Sequence, residues 1–144
     1  MKHFIALLLL FCFTACSNNN HSDLILELDK NSIVSEPPTN IIFIPVRGCS
    51  VCVGKAFNFL KEHLDSDMFT YILFNHESQK EIKIRLHLTD MDLEKIHFLD
   101  NDITTSFYKT GISNFYPTIV KIHNDEVTVQ VADPYHLDYW DELK

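Results

Sequence analysis

The chain has 144 residues, of which 46% are apolar and 22% charged, and its formal net charge is −8. This length suits one domain with a real hydrophobic core and is too short for two full-sized domains. The acidic balance argues against a general nucleic-acid binder, because no basic surplus is available to neutralise phosphates. The composition is that of an ordinary globular protein.

The beginning of the chain has the pattern of an export signal. Lys2 and His3 form a short polar start, and the apolar run from Phe4 to Phe13 has ten residues, about half of the ~20 that a membrane-spanning helix needs. Thr14-Ala15-Cys16 then resembles a bacterial lipobox. The resemblance implies that Cys16 is lipidated after cleavage. Ordinary signal cleavage nearby and a buried N-terminal strand are the alternatives.

These features divide the chain into three expected parts. Residues 1–16 are expected to be a lipoprotein-type signal peptide, residues 17–23 a polar tether, and residues 24–144 the folded domain. We expect the mature protein to be lipid-anchored in the cell envelope and to face the periplasm.

Export changes how the four cysteines are interpreted. Cys12 is expected to leave with the signal and Cys16 to carry the lipid, so that the mature domain keeps Cys49 and Cys52. In an oxidising compartment, a close pair is either a structural disulfide or a redox site. A bridge across two residues closes too short a loop to stabilise much, and zinc usually needs further cysteine or histidine ligands. Redox exchange is therefore favoured, with an inert bridge and metal capture as alternatives.

Periodicity predicts a mixed sheet with helices on both faces. The apolar run Ile41–Ile44 is typical of a strand covered on both faces, and residues from Val53 onward have helical spacing. The segment Glu77–Leu88 fits a strand or a helix, and we choose helix. The predicted elements are strand Leu24–Leu28, strand Ile41–Ile44, helix Ser50–Leu64, strand Phe69–Phe74, helix Glu77–Leu88, strand Lys95–Leu99, helix Ile103–Thr110 ended by Gly111, the hairpin Thr118–His123 and Glu126–Val131 across Asn124-Asp125, and helix Tyr135–Leu143.

The segment Cys49-Ser50-Val51-Cys52 lies between a predicted strand and a predicted helix. This position presents the first sulfur at a helix N-terminus, where unpaired N–H groups and the helix dipole stabilise a thiolate. The second sulfur follows one turn later, within bonding reach. Arg47 is expected to lower the pKa of Cys49 electrostatically, or else to be a solvated surface arginine.

This CxxC, followed by Tyr116-Pro117-Thr118 before a closing hairpin and a terminal helix, resembles the thioredoxin superfamily. The segment Phe107–Ile112, with its glycine, is similar to the membrane-tethered thiol–disulfide oxidoreductases. The resemblance implies a three-layer α/β/α sandwich with a mixed central sheet. It also implies that Cys49 attacks, that Cys52 resolves, and that Pro117 is cis.

By the same resemblance, Tyr116, Pro117 and Thr118 bind the substrate, although Tyr116 is equally explained as a packing residue and Thr118 as a strand residue. The implied partners are protein thiols or disulfides and a further redox protein, with no cofactor and no metal. Phe43 stands where many thioredoxins carry a buried acid, six residues before the first cysteine. A non-catalytic thioredoxin-like binding module and a copper-delivery protein are the alternative functions.

Overall fold

The computed structural model describes residues 19–33, 40–76, 78–123, 126–135 and 138–143. The predicted signal peptide with Cys16, the hairpin turn Asn124-Asp125 and Leu137 lie outside these residues. The elements in chain order are α1 (Asn19–Lys30), β1 (Asn40–Pro45), α2 (Ser50–His63), β2 (Phe69–Phe74), α3 (Gln79–Leu86), α4 (Asp90–Leu93), β3 (Ile96–Phe98), α5 (Asn101–Tyr108), β4 (Thr118–His123), β5 (Glu126–Val131) and α6 (Tyr139–Glu142).

The five strands form one mixed sheet in the order β3-β2-β1-β4-β5. Strand β1 pairs in parallel with β2, and β2 in parallel with β3. Strand β4 is antiparallel to both of its neighbours, β1 and β5. The strand that leads into the CxxC is therefore central and the final hairpin is antiparallel, as the sequence predicted.

Helices cover both faces of this α/β sheet. All six residues of β1 are buried, and its side chains alternate between two apolar cores. Ile42 and Ile44 belong to a core shared with α2, α3 and α6, which we call the α2-side core. Ile41 and Phe43 belong to a core shared with α1 and α5, which we call the α1-side core. A strand buried on both faces reads as a continuous apolar run, which is the reason that β1 was recognisable.

The first helix corrects the sequence prediction, which gave Leu24–Leu28 as a strand and residues 17–23 as a tether. Residues from Asn19 to Lys30 are helical instead. Leu24 and Leu28 are buried in the α1-side core, whereas Leu26 is 53% exposed. Positions four residues apart share a helix face, so a helix buries Leu24 and Leu28 together and leaves Leu26 exposed. The apolar segment allowed both interpretations, and docking on the sheet selected the helix.

The remaining elements agree with the prediction to within two residues, except for α4 (Asp90–Leu93), which was not predicted, and the C-terminus. The hairpin strands have the predicted bounds, and Gly111, in the turn that ends α5, has a φ of +96°. Helix α6 has only four residues, Tyr139–Glu142, where Tyr135–Leu143 was predicted. Tyr135 is 88% exposed and lies outside it, while Trp140 is buried in the α2-side core. Tyr139 and Leu143 pack against the same core, so the short helix and its C-cap residue dock together.

Candidate functional site

Cys49 caps the N-terminus of α2. Its sulfur accepts a hydrogen bond from the backbone N–H of Cys52 at 3.4 Å, and its carbonyl accepts the N–H of Val53 at 2.8 Å. A helix N-terminus has unpaired N–H groups, and here the sulfur takes one of them. Both cysteines are free thiols; Cys49 is half-buried and Cys52 is fully buried. The two sulfurs are thus presented differently, one at the surface and one beneath it.

The surroundings move the two thiol pKa values in opposite directions. The pKa of Cys49 is lowered, first by a hydrogen bond from the Cys52 thiol and then by the backbone N–H groups of Cys52 and Val51, while burial opposes them. Burial raises the pKa of Cys52 to about 12, assisted by the hydrogen bond and negative charge of Cys49 and by the charge of Asp133. Cys49 is therefore the better nucleophile and Cys52 the thiol that keeps its proton.

A second loop, residues 113–117, packs directly against the cysteine pair. The backbone N–H of Cys49 donates to the carbonyl of Phe115 at 2.8 Å. The approach is so close at Gly48 that a Cβ there would lie 2.1 Å from the Phe115 oxygen. Only glycine fits this contact, because any side chain would force the two loops apart. The loop that contains Pro117 therefore packs beside the CxxC.

The predicted cis bond before Pro117 is wrong. No cis peptide bond occurs in the described parts of the chain, and the Tyr116–Pro117 bond is trans. Trans is the lower-energy state of an X–Pro bond, and the loop reaches the cysteines through the Phe115 carbonyl without isomerisation. Pro117 itself is buried, and its carbonyl accepts the N–H of Ala132 at 2.8 Å.

Hydroxyl groups hold the shape of this loop. The Ser113 hydroxyl accepts the backbone N–H groups of Phe115 at 3.2 Å and Tyr116 at 2.9 Å. Thr118 is fully buried in β4, and its hydroxyl accepts the Ser113 N–H at 3.1 Å. The Thr118 side chain therefore braces the loop from inside. Tyr116 is half-buried, and its ring meets the ring of Phe115 edge-on with centroids 5.0 Å apart.

The site also contains residues that the sequence analysis missed. Phe115 supplies the carbonyl at Cys49, and its side chain is 50% exposed. A backbone acceptor has no sequence signature, so Phe115 could not have been found. Gly48, directly before the CxxC, is a sequence feature that indicates close approach of another segment, and it was not used in the prediction. Arg47 is exposed in the loop before Cys49, and its effect on the thiol stays a prediction.

Among the described residues, no group of three or more His, Cys, Asp or Glu side chains is placed to hold a metal ion. No helix in the described ranges is long and apolar enough to cross a membrane.

No protein-family model, no curated protein and no solved structure matches this chain. The chain is an α/β protein with a five-stranded mixed sheet and two thiols at the start of the helix that follows the central strand.

Proposed function

We propose that this protein is an exported thiol–disulfide oxidoreductase with a thioredoxin-like α/β/α arrangement, in which Cys49 attacks and Cys52 resolves. One observation carries the proposal: a half-exposed thiol of lowered pKa caps a helix directly above a buried thiol of raised pKa. An inert bridge needs no such difference between its two sulfurs. A dithiol exchange site does, because one sulfur must react first.

The reaction proceeds in two exchange steps. The Cys49 thiolate attacks one sulfur of a substrate disulfide, a mixed disulfide forms, and the other substrate sulfur leaves as a thiolate. The Cys52 thiol then loses its proton and attacks the Cys49 sulfur, which releases the second substrate thiolate. Two electrons pass from the pair to the substrate, and Cys49 and Cys52 end as a disulfide. The same groups support the reverse direction.

The first test measures reduction of insulin by dithiothreitol with and without the protein. We expect the wild type to accelerate reduction, Cys49→Ser to abolish the acceleration, and Cys52→Ala to accumulate a mixed disulfide on Cys49 that mass spectrometry identifies. Ser50→Ala changes an exposed residue between the two cysteines and serves as the matched control. A wild type that binds insulin without accelerating its reduction would contradict the proposal and favour a binding module.

We also propose that the mature protein is held at a membrane by lipid on Cys16. The support is the ten-residue apolar run that ends at Thr14-Ala15-Cys16. Export also brings a CxxC pair to an oxidising compartment, where disulfide substrates occur.

Fatty-acid labelling tests this anchor. Cys16→Ser is expected to abolish labelling and to release processed protein from the membrane fraction. Cys12→Ser, four residues earlier in the apolar run, is the matched control and is expected to keep full labelling. Unchanged labelling of Cys16→Ser would rule out the anchor without affecting the redox proposal.

A further inference from the structure

The second exchange step needs a group that takes the proton of Cys52. The Cys52 side chain has 0% exposure, and its pKa is raised to about 12. A thiol is nucleophilic only as a thiolate, and burial disfavours the thiolate of Cys52. Bulk water has poor access to the buried proton. The resolving step therefore depends on a nearby base.

The end of β5 brings a carboxylate to this part of the molecule. Thr118 at the start of β4 pairs with Val131 at the end of β5, so the chain leaves β5 beside the loop that contacts Cys49. Ala132 is fully buried, donates its N–H to the Pro117 carbonyl at 2.8 Å, and shares the α2-side core with Val53. Asp133 is the next residue. Its backbone is therefore fixed at the same end of the sheet as the cysteine pair.

The Asp133 side chain is half-buried and held in place. One of its oxygens accepts the backbone N–H of Tyr135 at 2.8 Å. Its charge reaches Cys52 and disfavours the Cys52 thiolate. The other charge that acts on Cys52 is that of Cys49, which is lost when Cys49 becomes part of the mixed disulfide. Asp133 then remains as the anionic group near the buried thiol, while Phe43 on β1 faces the opposite, α1-side core.

We propose that the Asp133 carboxylate is the proton acceptor for Cys52 in the resolving step, directly or through one water molecule. This inference rests on the proposed exchange reaction. The Cys52 S–H proton passes to Asp133, the Cys52 sulfur bonds to Cys49, and the bond from Cys49 to the substrate sulfur breaks. The substrate leaves as a thiolate, and Asp133 returns its proton to solvent.

Replacing Asp133 by asparagine separates this role from a purely electrostatic one, because the two predict opposite signs. A like charge near Cys52 disfavours its thiolate, so removing only that charge would increase the thiolate fraction and speed resolution. Removing a proton acceptor slows resolution, typically by about 10². Asparagine keeps an oxygen that can accept the Tyr135 N–H.

The experiment uses the full chain with Cys12→Ser and Cys16→Ser, which leaves two thiols, and Ellman's reagent as the disulfide. The first thionitrobenzoate released reports attack by Cys49, and the second reports displacement by Cys52. For Asp133→Asn we expect the second phase to slow about 10²-fold at pH 7 and the first to change less than about threefold. The difference is expected to shrink as the pH rises, because hydroxide then removes the proton. Asp138→Asn, an exposed aspartate before α6, is the control and should match the parent.

Each outcome has one meaning. A parent protein that lacks the second phase contradicts the proposed function itself. A normal parent with an unchanged or faster second phase in Asp133→Asn overturns the role of Asp133 and leaves the exchange reaction intact. Asp133→Glu keeps a carboxylate and should recover much of the parent rate. If Asp133→Asn fails to fold by circular dichroism, Asp133→Ser takes its place, because a serine hydroxyl can also accept the Tyr135 N–H: a slowed second phase supports the acceptor, and an unchanged or faster one overturns it.

Discussion

Both ends of helix α2 have buried side chains, but those side chains make different interactions. At its N-terminus, the backbone N–H of Cys52 donates to the Cys49 sulfur, and a loop carbonyl accepts the Cys49 N–H at 2.8 Å. Near its C-terminus, Phe59 packs among aromatic rings, with centroid distances of 4.3 Å to His63, 5.1 Å to Phe69 and 5.3 Å to Trp140. One end is organised around a reactive atom and the other around a core.

The polar groups at the two ends of α2 also have different effects. At the thiol end, hydrogen bonds and charges move two pKa values apart. At the aromatic end, His63 Nε2, Tyr71 OH and Trp140 Nε1 are buried and have no hydrogen-bond partner among the described residues. Leaving such groups unpaired costs stability. We therefore expect substitutions at the aromatic end to change stability and substitutions at the thiol end to change reactivity.

The largest effect on stability is expected from Phe59→Ala. The side chain is 3% exposed, and its loss should lower the free energy of unfolding by about 3–5 kcal/mol through lost burial and the cavity left behind. Urea denaturation measures this change. Asn58→Ala, an exposed neighbour on the same helix, is the control and should change stability by less than about 0.5 kcal/mol. If Phe59→Ala folds but its Cys49 alkylates much more slowly, packing at the aromatic end also controls thiol reactivity, and the expected separation between stability and reactivity is wrong.

An intermediate effect is expected from Gly48→Ala, where the new methyl group would meet the Phe115 carbonyl at 2.1 Å. Separating the two loops should cost about 1–3 kcal/mol of stability. It should also slow insulin reduction, because it disturbs the hydrogen bond from Cys49 to Phe115. The matched control is Gly54→Ala within α2, where an added Cβ meets nothing within 4 Å. This control should be neutral or stabilising, since alanine favours a helix interior by about 1 kcal/mol. Equal activity of the two variants would contradict the role of the loop contact.

The smallest effect is expected from Arg47→Gln. The rate of Cys49 alkylation by iodoacetamide should rise with pH through a pKa below that of a free thiol, and Cys52 should stay unreactive until much higher pH. Because Arg47 is exposed, its removal should raise the pKa of Cys49 by less than about half a unit. Alkylation profiles of both proteins, with peptide mapping of the label, measure this. A Cys52 that reacts first would reverse the assigned roles.

Much of the sheet and the thiol pair could be predicted because their signals are local. The apolar run of β1, the helical spacing of α2 and the paired strands of the hairpin each depend on residues close in sequence. A CxxC directly before a helix also predicts which sulfur lies at the N-terminus. That position predicted a stabilised thiolate at Cys49, and the lowered pKa of this thiol agrees. The attacking and resolving roles came from the family resemblance.

Contacts between distant segments decided the rest. The apolar segment Leu24–Leu28 also fits a strand, in which Leu24, Leu26 and Leu28 would share one face. In the helix, Leu24 and Leu28 are buried against the sheet and Leu26 is exposed. The Phe115 carbonyl at Cys49 and the position of Asp133 both follow from how β4 and β5 pair beside β1. Local sequence determines the periodicity of each element, whereas the neighbours of a backbone carbonyl or a carboxylate are determined only when the strands have paired.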